Sequence, residues 1–189
     1  MKLIVIDNYD SFTFNLVHAV KKITGLPVKV ARNDEVNMDE ISGYDKIILS
    51  PGPGLPGEAG LLTEIIRIFA PYKSILGVCL GHQAIGEVFG GQLINLKRVF
   101  HGVATPVNTT GNKSVLFKGI PDSFEAGRYH SWIIDKENMP ECLEITSIDN
   151  DGMIMSVKHK EYNVEGVQFH PESVLTPLGG KIIENWINS

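Results

Sequence analysis

The sequence has 189 residues, of which 17 are Lys or Arg and 22 are Asp or Glu, for a formal charge of −5. Its 43% hydrophobic content suits one α/β domain over residues 1–189 with an ordinary core, and excludes intrinsic disorder. The acidic balance argues against a nucleic-acid binder, which needs a basic face to displace counterions, and no apolar run approaches the roughly 18 residues of a membrane span.

The first apolar run, residues 3–6, stops at Asp7. It is too short for a signal peptide and suits a strand buried on both faces. Cys79 and Cys142 cannot form a disulfide framework, so a cytoplasmic chain with reduced thiols is expected. Asp10 or Ser11 offers an N-cap, and Phe12, Leu16, Ala19, Val20 and Ile23 follow at helical spacing until Gly25 and Pro27 stop the helix. Strands are predicted at 28–31 and 47–49, then a Pro/Gly loop over 51–60. Leu61, Leu62, Ile65, Ile66 and Phe69 predict a helix, 75–78 a strand and 82–89 another helix, the rhythm of a parallel α/β sheet. After Gly91 the pattern turns β-rich, with apolar runs at 103–107, 115–117, 124–129, 143–148, 154–157 and 164–169. Asn150-Asp151-Gly152 reads as a hairpin turn and 180–187 as a closing helix.

Gly52-Pro53-Gly54-Leu55-Pro56-Gly57 matches the dinucleotide fingerprint G-x-G-x-x-G between a strand and a helix. Such loops grip pyrophosphate with backbone N–H groups, and Pro53 and Pro56 have none. The expected ribose-binding acid is also missing, because the next strand runs into Cys79. A rigid loop that aims the amides of Gly52 and Gly54 is the better reading.

Gly77-Val78-Cys79-Leu80-Gly81-His82-Gln83 places a thiol between glycines at a strand-to-helix junction, the pattern of a nucleophile elbow. The sharp turn leaves no room for side chains beside it, and a helix N-terminus favours a thiolate. A lone Cys after an apolar strand is otherwise a buried, inert thiol. Here the flanking glycines favour the nucleophile, whereas Cys142 lacks such a setting and reads as structural.

A thiol nucleophile needs a base, and the chain has six histidines. His18 lies just off the apolar stripe of its helix, and His82 is carried away from the thiol by its own. His170, in Gly166-Val167-Gln168-Phe169-His170-Pro171-Glu172, ends an apolar strand. Residues two apart in an extended chain face one side, so Glu172 can orient the His170 imidazole as the acid of a triad does. The bland alternative is a local ion pair at a strand end. H-x-E also occurs in zinc deaminases, but no Pro-Cys-x-x-Cys follows, and a metal pair has no third ligand at a recognisable spacing.

The elbow, together with Phe169-His170-Pro171-Glu172-Ser173 and Pro51-Gly52-Pro53-Gly54, resembles the class I, triad-type glutamine amidotransferases. Asp7-Asn8-Tyr9-Asp10-Ser11-Phe12-Thr13 and Arg128-Tyr129-His130-Ser131 narrow the resemblance to the small subunits of anthranilate synthase and aminodeoxychorismate synthase. It implies an open, mostly parallel, doubly wound flavodoxin-like α/β sheet with a β-rich second half. It also implies Cys79 as nucleophile, His170 as acid/base and Glu172 as its orienter. The oxyanion hole would be the amides of Leu80 and Gly54, and glutamine would meet Gly52, Pro53, Gly54, Gln83, Ser131 and Trp132. Many relatives have Leu at the position of Trp132, so a backbone contact is expected there more than a side-chain one. No metal or organic cofactor is implied on this chain. The implied partner is a large synthase subunit that binds chorismate and Mg²⁺, with Asp7 to Thr13 either part of the docking face or a solvated loop. Anthranilate synthesis is the favoured pathway. Aminodeoxychorismate synthesis, a small chain shared by both, a stand-alone γ-glutamyl hydrolase and a catalytically inactive binding module are the alternatives.

Overall fold

Short apolar runs joined by amphipathic stripes build the first half of the chain in the computed structural model, which describes residues 1–189. In order these are β1 (Leu3–Asp7), α1 (Thr13–Thr24), β2 (Lys29–Arg32), α2 (Met38–Ser42), β3 (Lys46–Leu49), α3 (Leu62–Phe69), β4 (Ser74–Val78) and α4 (Leu80–Val88). The second half supplies β5 (Leu93–Asn95), β6 (Val103–Thr109), β7 (Ser123–Arg128), β8 (Trp132–Ile134), β9 (Leu143–Asp149), β10 (Ile154–His159), β11 (Val164–Val167) and the closing α5 (Gly179–Ile187).

Nine strands form one sheet in the order β2-β1-β3-β4-β11-β10-β9-β6-β7, and β5 pairs with β8 in a small second sheet. The pairings from β2 to β11 are parallel, and those from β11 to β7 are antiparallel. Successive side chains of the buried strands enter opposite cores, as a period of two requires. Ile4, Ile6, Ile47 and Leu49 pack with α3 and α4. Leu3, Val5, Ile48, Leu76 and Val78 pack with α1 and α5. Helices therefore cover both faces, the doubly wound α/β arrangement expected from the sequence.

Two local expectations need correction, and one helix is not expected at all. Residues 115–117 form a 3₁₀ turn instead of a strand, because the Ser114 side chain caps the Leu116 N–H and is itself held by Glu165. The residue preceding α1 is Phe12, without a side-chain cap. Asp10 instead uses its carboxylate on the Phe12 N–H at 2.7 Å and its carbonyl on the Thr13 N–H at 3.2 Å. Helix α2 has no sequence stripe, since only Ile41 of its five residues is buried; the Asn37 side chain nucleates it by accepting from the Asp39 N–H.

Candidate active site

Cys79 occupies the turn between β4 and α4 with φ 51 and ψ −98, a backbone conformation that L-residues rarely adopt and that persists only where surroundings enforce it. The enforcement is steric. A Cβ on Gly77 would lie 2.5 Å from the Gly81 carbonyl group, and one on Gly81 would lie 2.6 Å from the Leu49 carbonyl oxygen. The Cys79 N–H donates to the Val167 carbonyl at 2.8 Å, which ties the elbow to β11. Leu80 opens α4, so its N–H has no intrahelical acceptor. The N–H groups of Gly52 and Gly54 make no hydrogen bond within the chain either.

His170 arrives just beyond the end of β11, with its N–H on the Gly127 carbonyl at 2.9 Å. Its Nδ1 lies 2.7 Å from Glu172 Oε1, and the two side chains are 2% and 0% exposed. The rings of Tyr129 and Phe12 stand 4.8 and 5.6 Å away. Burial alone would strip the imidazole of its proton, but the Cys79 sulfur and the Glu172 carboxylate outweigh it and push His170 up to about 10. It is therefore an imidazolium at neutral pH, donating Nδ1–H to Glu172. The Cys79 sulfur also receives an N–H of Gln168 at 3.6 Å.

Beside the thiol opens a cleft of about 240 Å³, lined by Gly52, Pro53, Gly54, Cys79, Gln83, Tyr129, His130, Ser131 and Trp132. The six residues expected to meet glutamine all border it. The Gly52–Gly54 wall is set by contacts that sequence reasoning misses. Asn8 is buried, donates to the Ser50 hydroxyl and carbonyl at 2.9 and 2.7 Å, and accepts from Asn33 at 3.0 Å. A Cβ on Gly52 would collide with Asn8 at 2.6 Å. The segment 7–13 is thus largely tied down, since Asp7 also accepts from the Tyr9 N–H and the Thr13 hydroxyl, while the Tyr9 side chain stays half exposed.

The opposite wall rests on a buried polar chain. Arg128 pairs with Asp149 at 2.6 Å, with the side chains 1% and 3% exposed, and lies 3.6 Å from the centre of the Phe100 ring. Its Nε donates to His130 Nε2 at 3.1 Å, which leaves the proton on Nδ1 to meet the Trp132 carbonyl at 3.1 Å. Burial and the Arg128 charge push His130 down to about 3, so it stays neutral. Gln83 donates to the same carbonyl at 2.9 Å. Trp132 thus serves this wall through its backbone, while its indole N–H meets the Asn95 carboxamide at 3.0 Å.

The remaining candidates fall outside the cleft. His18 is exposed on α1. His82 is fully buried against Gly166, away from the cleft, and burial pushes it down to about 3. Cys142 is half-buried, 4.0 Å from the Phe89 carbonyl. Two-residue alternation, the signal that pairs His170 with Glu172, also places Gln168 on their side. The strand-to-strand partners Arg128 and Asp149 leave no local signal.

Residues 4–189 match the family described as "Glutamine amidotransferase class-I". The chain is 45% identical to anthranilate synthase component 2 of Pseudomonas aeruginosa, over 98% of this chain and 94% of the relative. It is 41% identical to aminodeoxychorismate/anthranilate synthase component 2 of Bacillus subtilis, over 99% and 96%. Against the bifunctional protein TrpGD of Thermotoga maritima it is 45% identical, but the chain spans only 32% of that protein's length. A solved structure from Thermoplasma acidophilum, described as a "putative gmp synthase subunit a protein", superposes with a TM-score of 0.88 at 26% identity, over 100% of this chain and 92% of that one.

Proposed function

The chain belongs to the class-I glutamine amidotransferases, as a subunit of the anthranilate and aminodeoxychorismate synthase type, and we propose that it hydrolyses the side-chain amide of L-glutamine at Cys79 and hands the ammonia to a larger chorismate-binding subunit. The observation that carries this reading is a strained Cys79 on a cleft bordered by unpaired backbone N–H groups, with its sulfur close enough to the buried His170–Glu172 pair to raise the imidazole. The cleft residues Gly52, Pro53, Gly54, Gln83, Ser131 and Trp132 would hold glutamine with its carboxamide against the sulfur.

The Cys79 thiolate attacks the carboxamide carbon, and charge builds on the oxygen. The N–H groups of Leu80 and Gly54 stabilise it, each worth about 3–4 kcal/mol of barrier in comparable sites. His170 gives its Nε2 proton to the departing nitrogen, the C–N bond breaks, and a γ-glutamyl thioester and ammonia form. The now neutral imidazole takes a proton from water, whose hydroxide attacks the thioester. Glutamate leaves, Cys79 returns as thiolate and His170 as imidazolium. Throughout, Glu172 fixes the ring through Nδ1 and balances its charge.

Free ammonia is protonated in neutral water and loses its nucleophilicity, so direct transfer to a synthase is a chemical requirement. No step above asks this chain for a metal; Mg²⁺ belongs with chorismate on the larger subunit. Anthranilate synthesis in the cytoplasm is the favoured destination, supported by the 45% identity to a component 2 of that name. Glutamate release from glutamine, measured with and without the larger subunit, tests the reading. Wild-type turnover should need the partner and vanish in Cys79→Ser. Undiminished activity in Cys79→Ser removes the nucleophile, and high turnover by the isolated chain favours a free-standing γ-glutamyl hydrolase.

A further inference from the structure

We propose that Gln168 is a positioning residue for the Cys79 sulfur, and that its side-chain amide ties the nucleophile to the glutamine-binding wall; this rests on Cys79 being the nucleophile. Gln168 is fully buried, and its backbone is fixed on β10 by its N–H to the Met155 carbonyl at 2.8 Å. Both ends of the side chain are in use. Nε2 lies 3.6 Å from Cys79 Sγ, and Oε1 accepts from Gln83 Nε2 at 3.3 Å. The same Gln83 nitrogen donates to the Trp132 carbonyl at 2.9 Å. Two carboxamides therefore link the sulfur to the cleft wall without a break.

An N–H donor binds a thiolate more strongly than a thiol, so this contact favours the attacking form. It also divides the labour at the site. Gln168 Nε2 holds the sulfur from one side, while the His170 imidazolium, raised by the same sulfur, carries the proton for the leaving group. Gln168 does not line the cleft, so it acts through Cys79 and Gln83 and not by touching glutamine.

The test compares wild type with Gln168→Met, which keeps the length but removes both the donor to the sulfur and the acceptor of Gln83, leaving Gln83 its bond to the Trp132 carbonyl, and Gln168→Glu, which keeps an acceptor for Gln83 but sets a carboxylate against the sulfur. Glutamine kinetics are measured on the complex with the larger subunit. Iodoacetamide alkylation is followed against pH at the Cys79 peptide by mass spectrometry. In Gln168→Met, kcat should fall about 10- to 100-fold with KM within about twofold, the size of a lost hydrogen bond to a charged group. The alkylation profile should move to higher pH, and further still in Gln168→Glu. A folded variant with wild-type kcat and alkylation profile overturns the proposal, as does a KM rise at constant kcat. If Gln168→Met does not fold, Gln168→Glu decides by the same criteria. A wild-type complex that releases no glutamate would instead refute the proposed function, with the alkylation comparison still ruling on Gln168.

Discussion

Acidification from pH 7 to pH 5 should strip the folded protein of stability through two histidines that have no catalytic part. His82 and His130 are buried, and burial holds both at about 3 instead of 6.5. Because the folded value is depressed, the stabilisation is complete above about 6.5 and is lost as pH falls toward 3. Between pH 7 and 5 the unfolded imidazole takes up about 0.7 of a proton while the folded one takes up almost none, and integrated over the window each site costs about 2 kcal/mol. His170 acts in the opposite sense. Its value is raised to about 10, so its contribution is lost between 6.5 and 10 and returns about 1 kcal/mol on going from pH 7 to 5. The net loss from the three is about 3 kcal/mol. Urea unfolding followed by tryptophan fluorescence at the two pH values measures it. His82→Leu is the direct perturbation, because His82 has no side-chain hydrogen-bond partner to be disturbed. The variant should lose about 2 kcal/mol less than wild type over this window. Equal losses in the two proteins would refute the argument that His82 is buried uncharged.

Glu172→Gln removes the carboxylate that helps hold His170 at about 10; kcat for glutamine should fall about 100-fold or more, the scale of a mispositioned general acid. The alkaline limb of its pH–rate profile should move to lower pH, and an unmoved limb would show that Glu172 does not govern the imidazole. Asp149→Ala leaves Arg128, 1% exposed, charged and unpaired. It should cost about 3–5 kcal/mol in chemical denaturation. It should also raise the KM for glutamine, because Arg128 orients the His130 that holds the Trp132 carbonyl.

The parts of this structure legible in the sequence are those whose cause is local. The apolar runs of β1, β3 and β4, the stripes of α1 and α3, and the glycines around Cys79 each carry their reason within a few residues. The pairing of His170 with Glu172 is legible for the same reason. Asn8 holding Ser50 and Arg128 reaching Asp149 join residues 42 and 21 positions apart, and no periodicity links such distant positions. The short apolar run of residues 115–117 satisfies a strand pattern, yet a side-chain cap from Ser114 decides it the other way. Strands β5 and β8 have three residues each, too few for alternation to register.

The site depends on one strand pairing more than on any single contact. β11 is parallel to β4 on one side and antiparallel to β10 on the other, so it is the seam where the two halves of the sheet meet. The pairing sets Gly77 opposite Gly166 and Val78 opposite Val167, which brings Cys79 level with Gln168 and His170. Between these two, Phe169 points into the core shared with α1 and α5. A slip of one residue would exchange the faces, burying Gln168 and His170 in that core and turning Phe169 toward the thiol. Correct register is therefore strongly favoured by burial of Phe169 and Val167, both fully enclosed. The apolar alternation that stabilises the strand is also what aims the polar residues at the sulfur, so folding and assembly of the site are satisfied by the same alignment.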